Sequence, residues 1–204
     1  MQWKDAFGPG QVYTVPNGLS VLRVLLLPFF VYYALLYEAR PDGTGLAVLL
    51  GLVLVAAIAD FLDGFLARRW NQATILGQYL DPVADKTVAV VSLAMVTYSF
   101  GFPLWAFLLY IGRELFGVWG GTFLYFRRDI QGEPNWFGKI GVSVITVTVI
   151  WYLCVPYLAT RLPAESVWLR PELAAYVLIA VLAGGVIQYI VTYHKIIFTP
   201  DSRS

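Results

Sequence analysis

The fold class that this sequence predicts is an all-α integral membrane protein of six transmembrane helices, and three observations predict it. Hydrophobic residues make up 59% of the 204 and charged residues only 13%, with a mean hydropathy of +0.69. No ordinary soluble domain has that balance. Six apolar runs follow one another, each near the roughly 20 residues that a helix needs to cross a bilayer core of about 30 Å. Between them lie stretches such as "EARPDGTG", "FGFP", "RRDIQGEPN" and "TRLPAES", whose Pro, Gly and charged residues mark turns. The runs are solidly apolar and lack the alternation of β-barrel strands.

The first run, Leu19 to Tyr37, follows a segment (residues 1–18) in which Trp, Phe and Tyr mix with charge, as expected of a cytoplasmic interfacial segment, with a disordered tail as the equal alternative. It has no small-residue cleavage site, so it reads as a retained span and not a removed signal peptide. The second run, Gly45 to Ala67, closes on Arg68 and Arg69, and the third extends from Gly77 to Phe100. The fourth, Pro103 to Phe126, carries Arg113 and Glu114 inside it. The fifth, Phe137 to Leu158, holds Cys154, the only cysteine, which excludes an intramolecular disulfide and reads as a small packing residue. The sixth, Leu173 to Ile197, contains His194 near its end, where an interfacial role is expected. Residues 19–198 thus form one helical domain, and 199–204 a tail.

Basic residues are retained preferentially on the cytoplasmic side of a membrane. With the N-terminus inside, the cytoplasmic ends carry Lys4, Arg68, Arg69, Arg127, Arg128, Lys139, Lys195 and Arg203, against Arg40, Arg161 and Arg170 on the other side. Both termini are expected in the cytoplasm. Dispersed basic residues and a formal net charge of +1 argue against nucleic acid as a partner.

Four aspartates, Asp60, Asp63, Asp81 and Asp85, interrupt the second and third runs. Asp60 lies eight residues before Arg68, and Asp85 eight residues after Gly77, so both are expected at a similar depth, roughly 12 Å in at 1.5 Å per residue. Asp60 and Asp63 are three apart, and Asp81 and Asp85 four apart, so each pair occupies one helix face. Two neighbouring antiparallel helices can then converge four carboxylates on one spot. Even one Asp at the centre of a membrane helix costs roughly 2.5 to 3.5 kcal/mol, so the group needs neutralising. Only Arg68, Arg69 and Lys86 are near in sequence. An all-oxygen cluster suits hard divalent cations, Mg²⁺ or Mn²⁺, and four carboxylates can bridge two of them. A buried ion-pair network or a cation pathway is the alternative reading.

Small residues accompany the acids. Gly64 and Ala67 share the face of Asp60 and Asp63, and Gly77 shares that of Asp81, leaving room for a ligand to approach, although Gly64 can alternatively be a helix-packing glycine. Arg68 follows at the mouth of the same groove, where a forked guanidinium suits a phosphate or anchors the helix end.

The stretch from Asp60 to Asp85 reads Asp-x2-Asp-Gly-x2-Ala-Arg-x8-Gly-x3-Asp-x3-Asp, and every fixed position resembles the signature of the CDP-alcohol phosphotransferase family. The resemblance implies an integral membrane enzyme, homodimeric and using two divalent metals, that moves a phosphatidyl or related group from a CDP-linked lipid to an acceptor hydroxyl and releases CMP. It implies Asp60, Asp63, Asp81 and Asp85 as metal ligands, and Asp85 as the catalytic base. Binding of the CDP-lipid falls to Asp63, Gly64, Ala67, Arg68 and Gly77.

The stretch "PNGLSVLRVLLLPFF", with Asn17, Ser20, Arg23 and Pro28, resembles the start of the bacterial phosphatidylglycerophosphate synthases within that family, as do "ADK" at Lys86 and "GRE" at Glu114. This implies CDP-diacylglycerol as donor and glycerol 3-phosphate as acceptor, in a bacterial inner membrane with the active site facing the cytoplasm. A phosphorylated acceptor calls for cations, and Arg113 and Lys139 are the candidates, although Arg113 can equally pair with Glu114. "FGKIGVSV" departs from the subfamily's Gly-Lys-x-Lys-Thr at Gly141 and Val142, which leaves phosphatidylglycerol and inositol phosphate open as acceptors. Intramembrane prenyltransferases fit the spacing less well, and a cation transporter would be expected to show broken helices or paired repeats.

Overall fold

Thr14 opens the first of the six long helices among the described residues: its side chain accepts from the Asn17 N–H at 3.4 Å, and Pro16 sits in the first turn, where a missing N–H costs nothing. The structure, a computed structural model, describes residues 14–70, 74–128 and 136–198, with side chains described except at 75, 120–128, 136–139 and 192–198. The expected segment 1–18 therefore lies outside the described residues except for its last turn, which is already helical, and the tail 199–204 lies outside altogether. The helices are α1 (Val15–Ala39), α2 (Gly43–Arg69), α3 (Ile75–Ser99), α4 (Leu104–Arg128), α5 (Trp136–Leu158) and α6 (Glu172–Phe198), with a 3₁₀ turn at Val167–Leu169. Asp42 caps α2 by accepting from the Gly45 N–H at 2.6 Å, and Thr74 caps α3 by accepting from the Gly77 N–H at 2.9 Å. At the far end of α2, Arg68 and Arg69 occupy the last turn, where positive charge complements the helix dipole. Gly101, at a φ of +76°, makes the turn after α3, a conformation that L side chains rarely adopt.

The expectation of six transmembrane helices is corrected by the structure. All six helices form, but among the described residues four are long and apolar enough to cross a membrane: Val15–Ala39, Gly43–Arg69, Ile140–Leu158 and Glu172–Val191. In α3 the reason is internal charge. Asp81, Asp85 and Lys86 fall in the first half of α3, and its uncharged stretch begins only at Thr87. In α4 the described side chains run only from Leu104 to Trp119, short of a full crossing, with Arg113 and Glu114 in their middle. The chain is an all-α integral membrane protein, and its many exposed large apolar side chains, among them Leu25, Phe29, Leu54 and Val191, are what such helices present to lipid.

The chain divides into two units. The first comprises α1, α2, α3, the second half of α5 from Val149 and the 3₁₀ turn. Here α1 packs along both α2 and α3. Phe30, Ala34, Tyr37, Leu49, Leu93, Val96 and Leu153 form its apolar core, and the Tyr37 hydroxyl donates to the Leu153 carbonyl at 3.1 Å. A Cβ on Gly45 would come within 2.9 Å of the Tyr37 ring, so glycine permits that close approach. The second unit comprises α4, the first half of α5 and α6. In it α4 packs on α6 through Ala106, Tyr110, Ala174, Ala175 and Leu178, with Trp105 against Tyr176 and Phe116 edge-on to Tyr189.

Candidate active site

The site begins with the buried face of α1. Pro16, Ser20, Arg23, Leu27, Phe30, Ala34 and Tyr37 are all buried, at alternating spacings of four and three residues. That is the seam of a helix packed along its whole length against neighbours. Its first half is polar. Asn17, Ser20 and Arg23 are each at most 3% exposed, and all three face groups on α2 or α3.

The Arg23 guanidinium holds three of the four aspartates. Its Nη1 donates to Asp60 and to Asp85, and its Nη2 donates to Asp63 at 2.5 Å. Ser20 completes the group: its hydroxyl contacts Asp81, lies 3.5 Å from Asp63 Oδ2, and is 3.2 Å from the Pro16 carbonyl. All four aspartates are therefore gathered, two from α2 and two from α3, on the polar seam of α1. The group is asymmetric in exposure. Arg23 and Asp63 have side chains only 4% and 6% exposed, whereas Asp60 and Asp85 are 47% and 38% exposed. One side of the tetrad is thus sealed by α1, and the Asp60 and Asp85 side is open.

Sequence reasoning named Arg68, Arg69 and Lys86 as nearby positive charge and missed Arg23 as the cation of the site. The signal was present as the three-residue spacing of Asn17, Ser20 and Arg23, which puts all three on one helix face.

The small residues separate into two kinds. A Cβ on Gly64 would meet only the Arg68 Nη1, at 3.7 Å, so the space above Gly64 is bounded by a movable guanidinium. A Cβ on Gly77 would meet Asn17 Oδ1 at 2.8 Å and Thr74 Oγ1 at 3.0 Å. Gly77 thus admits the α1 amide, which accepts from the Thr74 hydroxyl at 3.2 Å. Ala67 is half-buried on the same turn as Arg68.

Arg113, in the second unit, forms an ion pair with the neighbouring Glu114. Lys139 lies in the first turn of α5, and its side chain is outside the described ones, as is that of His194.

Among the described residues no three Asp, Glu, His or Cys side chains form a ready ligand set for a metal ion. The guanidinium stands between the aspartates. The donor set nonetheless fits divalent cations. It consists of carboxylate oxygens, hard donors converging from two helices, and a single guanidinium cannot neutralise three carboxylates. The Arg23 Nε is also buried without a hydrogen-bond partner among the described residues, so the arrangement serves the carboxylates at the arginine's expense.

Residues 13–199 match the family model described as CDP-alcohol phosphatidyltransferase. The chain belongs to this family. It is accordingly an enzyme of the CDP-alcohol phosphatidyltransferase class, and the family resemblance of the Asp60 to Asp85 motif is confirmed. Among its relatives is a CDP-diacylglycerol–glycerol-3-phosphate 3-phosphatidyltransferase from Aquifex aeolicus (strain VF5), 38% identical over 139 residues that span 67% of this chain and 73% of the relative. Proteins of the same name from Escherichia coli (strain K12) and Salmonella paratyphi A (strain ATCC 9150 / SARB42) are each 32% identical, over 71% of this chain and 79% of theirs.

Proposed function

We propose that this phosphatidyltransferase moves the phosphatidyl group of CDP-diacylglycerol to glycerol 3-phosphate, giving phosphatidylglycerophosphate and CMP. The observation that carries the reading is the gathering of four motif aspartates on α1 in a chain similar, over two thirds of its length, to enzymes named for that reaction. Asp60, Asp63, Asp81 and Asp85 would hold two divalent cations, Mg²⁺ or Mn²⁺, which when bound supply charge neutralisation of the diphosphate and of the departing CMP oxygen.

The chain's own residues supply the rest. Asp85, half-open beside Asp60, accepts the proton of the acceptor hydroxyl as its oxygen attacks the phosphatidyl phosphorus. The bond from that phosphorus to the CMP oxygen breaks, and CMP leaves with the electron pair. Arg68, hinged over Gly64, contacts the diphosphate with its fork, while Gly64 and Ala67 leave room for the nucleotide. Gly77 contributes by keeping the Asn17 amide against α3. For the acceptor phosphate, Arg113 and Lys139 are the candidate cations on grounds of charge.

The same reading includes a homodimer in a bacterial inner membrane with the aspartates toward the cytoplasm. Arg68 and Arg69 at the end of α2, against Arg40 at the end of α1, support that orientation, and four spans leave both termini on one side just as six would. The test is product identity. Purified enzyme with CDP-diacylglycerol, Mn²⁺ and labelled glycerol 3-phosphate is expected to carry label into the lipid phase as phosphatidylglycerophosphate. Label left in water, with incorporation from inositol phosphate or phosphatidylglycerol instead, would reassign the acceptor.

A further inference from the structure

We infer that Arg23 is a resident counter-cation of the aspartate tetrad, holding three of its carboxylates, Asp60, Asp63 and Asp85, together before metal binds and giving up Asp60 and Asp85 when it does. The inference rests on the tetrad being a divalent-cation site. Three observations carry it. First, one guanidinium ties three helices: rooted in α1, it holds Asp60 and Asp63 on α2 and Asp85 on α3. Without it, like-charged carboxylates on separate helices would repel one another, while α2 and α3 each pack on α1.

Second, the contacts differ in position. The Nη2 contact to Asp63 is sealed in the core, whereas Nη1 is shared by Asp60 and Asp85, the two acids on the open side. A divalent cation arriving from that side meets the very oxygens that Nη1 occupies, and two cations cannot share them at close range. The divalent ion carries twice the charge and prevails. Arg23 can then let go of Asp60 and Asp85 by rotating about its flexible stem while keeping Asp63. Third, the buried Nε has no hydrogen-bond partner among the described residues, so the guanidinium's hydrogen bonds there go to the carboxylates. Its place is set by them. Arg23 is a positioning residue: it preassembles the ligands and is then displaced.

The experiment is equilibrium Mn²⁺ binding to the purified full chain in detergent without lipid substrate, read by the free Mn²⁺ signal, beside melting temperatures with and without Mn²⁺. Arg23→Gln is expected to lower the metal-free melting temperature and to bind Mn²⁺ at least about tenfold more tightly, because a competing charge is gone. Saturating Mn²⁺ is expected to restore its melting temperature to within about 2 °C of the wild type under the same conditions. Arg23→Lys keeps the charge but cannot bridge three carboxylates, so its affinity is expected to fall between the two. That variant serves if the Gln form does not fold. Unchanged or weaker Mn²⁺ binding in the variants, or destabilisation that Mn²⁺ does not repair, would overturn the inference. Absence of Mn²⁺ binding in the wild type would instead overturn the metal reading itself.

Discussion

The two halves of α1 present the same geometry and opposite chemistry. From Leu27 onward its buried seam is apolar, and Phe30, Ala34 and Tyr37 pack into a core closed by one hydrogen bond to Leu153. Before Leu27 the same seam carries Asn17, Ser20 and Arg23, which meet Thr74 and the four aspartates. The apolar half can hold the helices together by packing alone. The polar half cannot, because each buried carboxylate needs a partner, and so it specifies which groups must meet and where. One helix therefore serves as scaffold at one end and gathers the four aspartates at the other.

That contrast is easiest to break at the aspartates. Asp60→Asn or Asp81→Asn is expected to lower turnover on the order of 10³-fold, read as CMP release by purified protein, while the fold persists because the apolar half is untouched. Near-normal turnover would detach the polar half from the chemistry. The two glycines should separate next. Gly77→Ala drives a methyl group toward Asn17 and Thr74 and is expected to cost about 1–3 kcal/mol of stability. Gly64→Ala meets only Arg68 and is expected to leave stability within about 0.5 kcal/mol while lowering turnover. Equal melting temperatures for the two would refute the assigned difference. Arg113→Ala is expected to raise the KM for glycerol 3-phosphate roughly tenfold, with less change for the CDP-lipid, and equal changes would mark a structural arginine. At the apolar end, Tyr37→Phe should cost about 1 kcal/mol in thermal unfolding and leave turnover unchanged.

Much of this was legible in the sequence, for reasons that can be traced. The apolar runs mark all six helices because length and composition are local properties, and the three- and four-residue spacings of the aspartates place each pair on one face. Arg23 was not legible as their partner, because it lies 37 residues from Asp60 and 62 from Asp85 and meets them only through packing. A seam that is half polar and half apolar also gives no amphipathic signal in a chain whose outward faces are apolar as well. The apolar runs were delimited by their ends, while the charges inside α3 were assigned to function without being counted against membrane crossing. Gly77 read as ligand space because a missing side chain looks the same from sequence whether a ligand or a neighbouring amide fills the gap.

The central claim is that the polar seam of α1 assembles a metal-dependent transferase site. Its most direct test is CMP release from CDP-diacylglycerol by the purified wild-type chain, with glycerol 3-phosphate present, before and after chelation of divalent cations and after Mn²⁺ is restored. Loss of CMP release on chelation and its return with Mn²⁺, neither seen in Asp81→Asn, is the predicted result. CMP release that continues undiminished in the chelator, or that is equal in Asp81→Asn, would contradict the account.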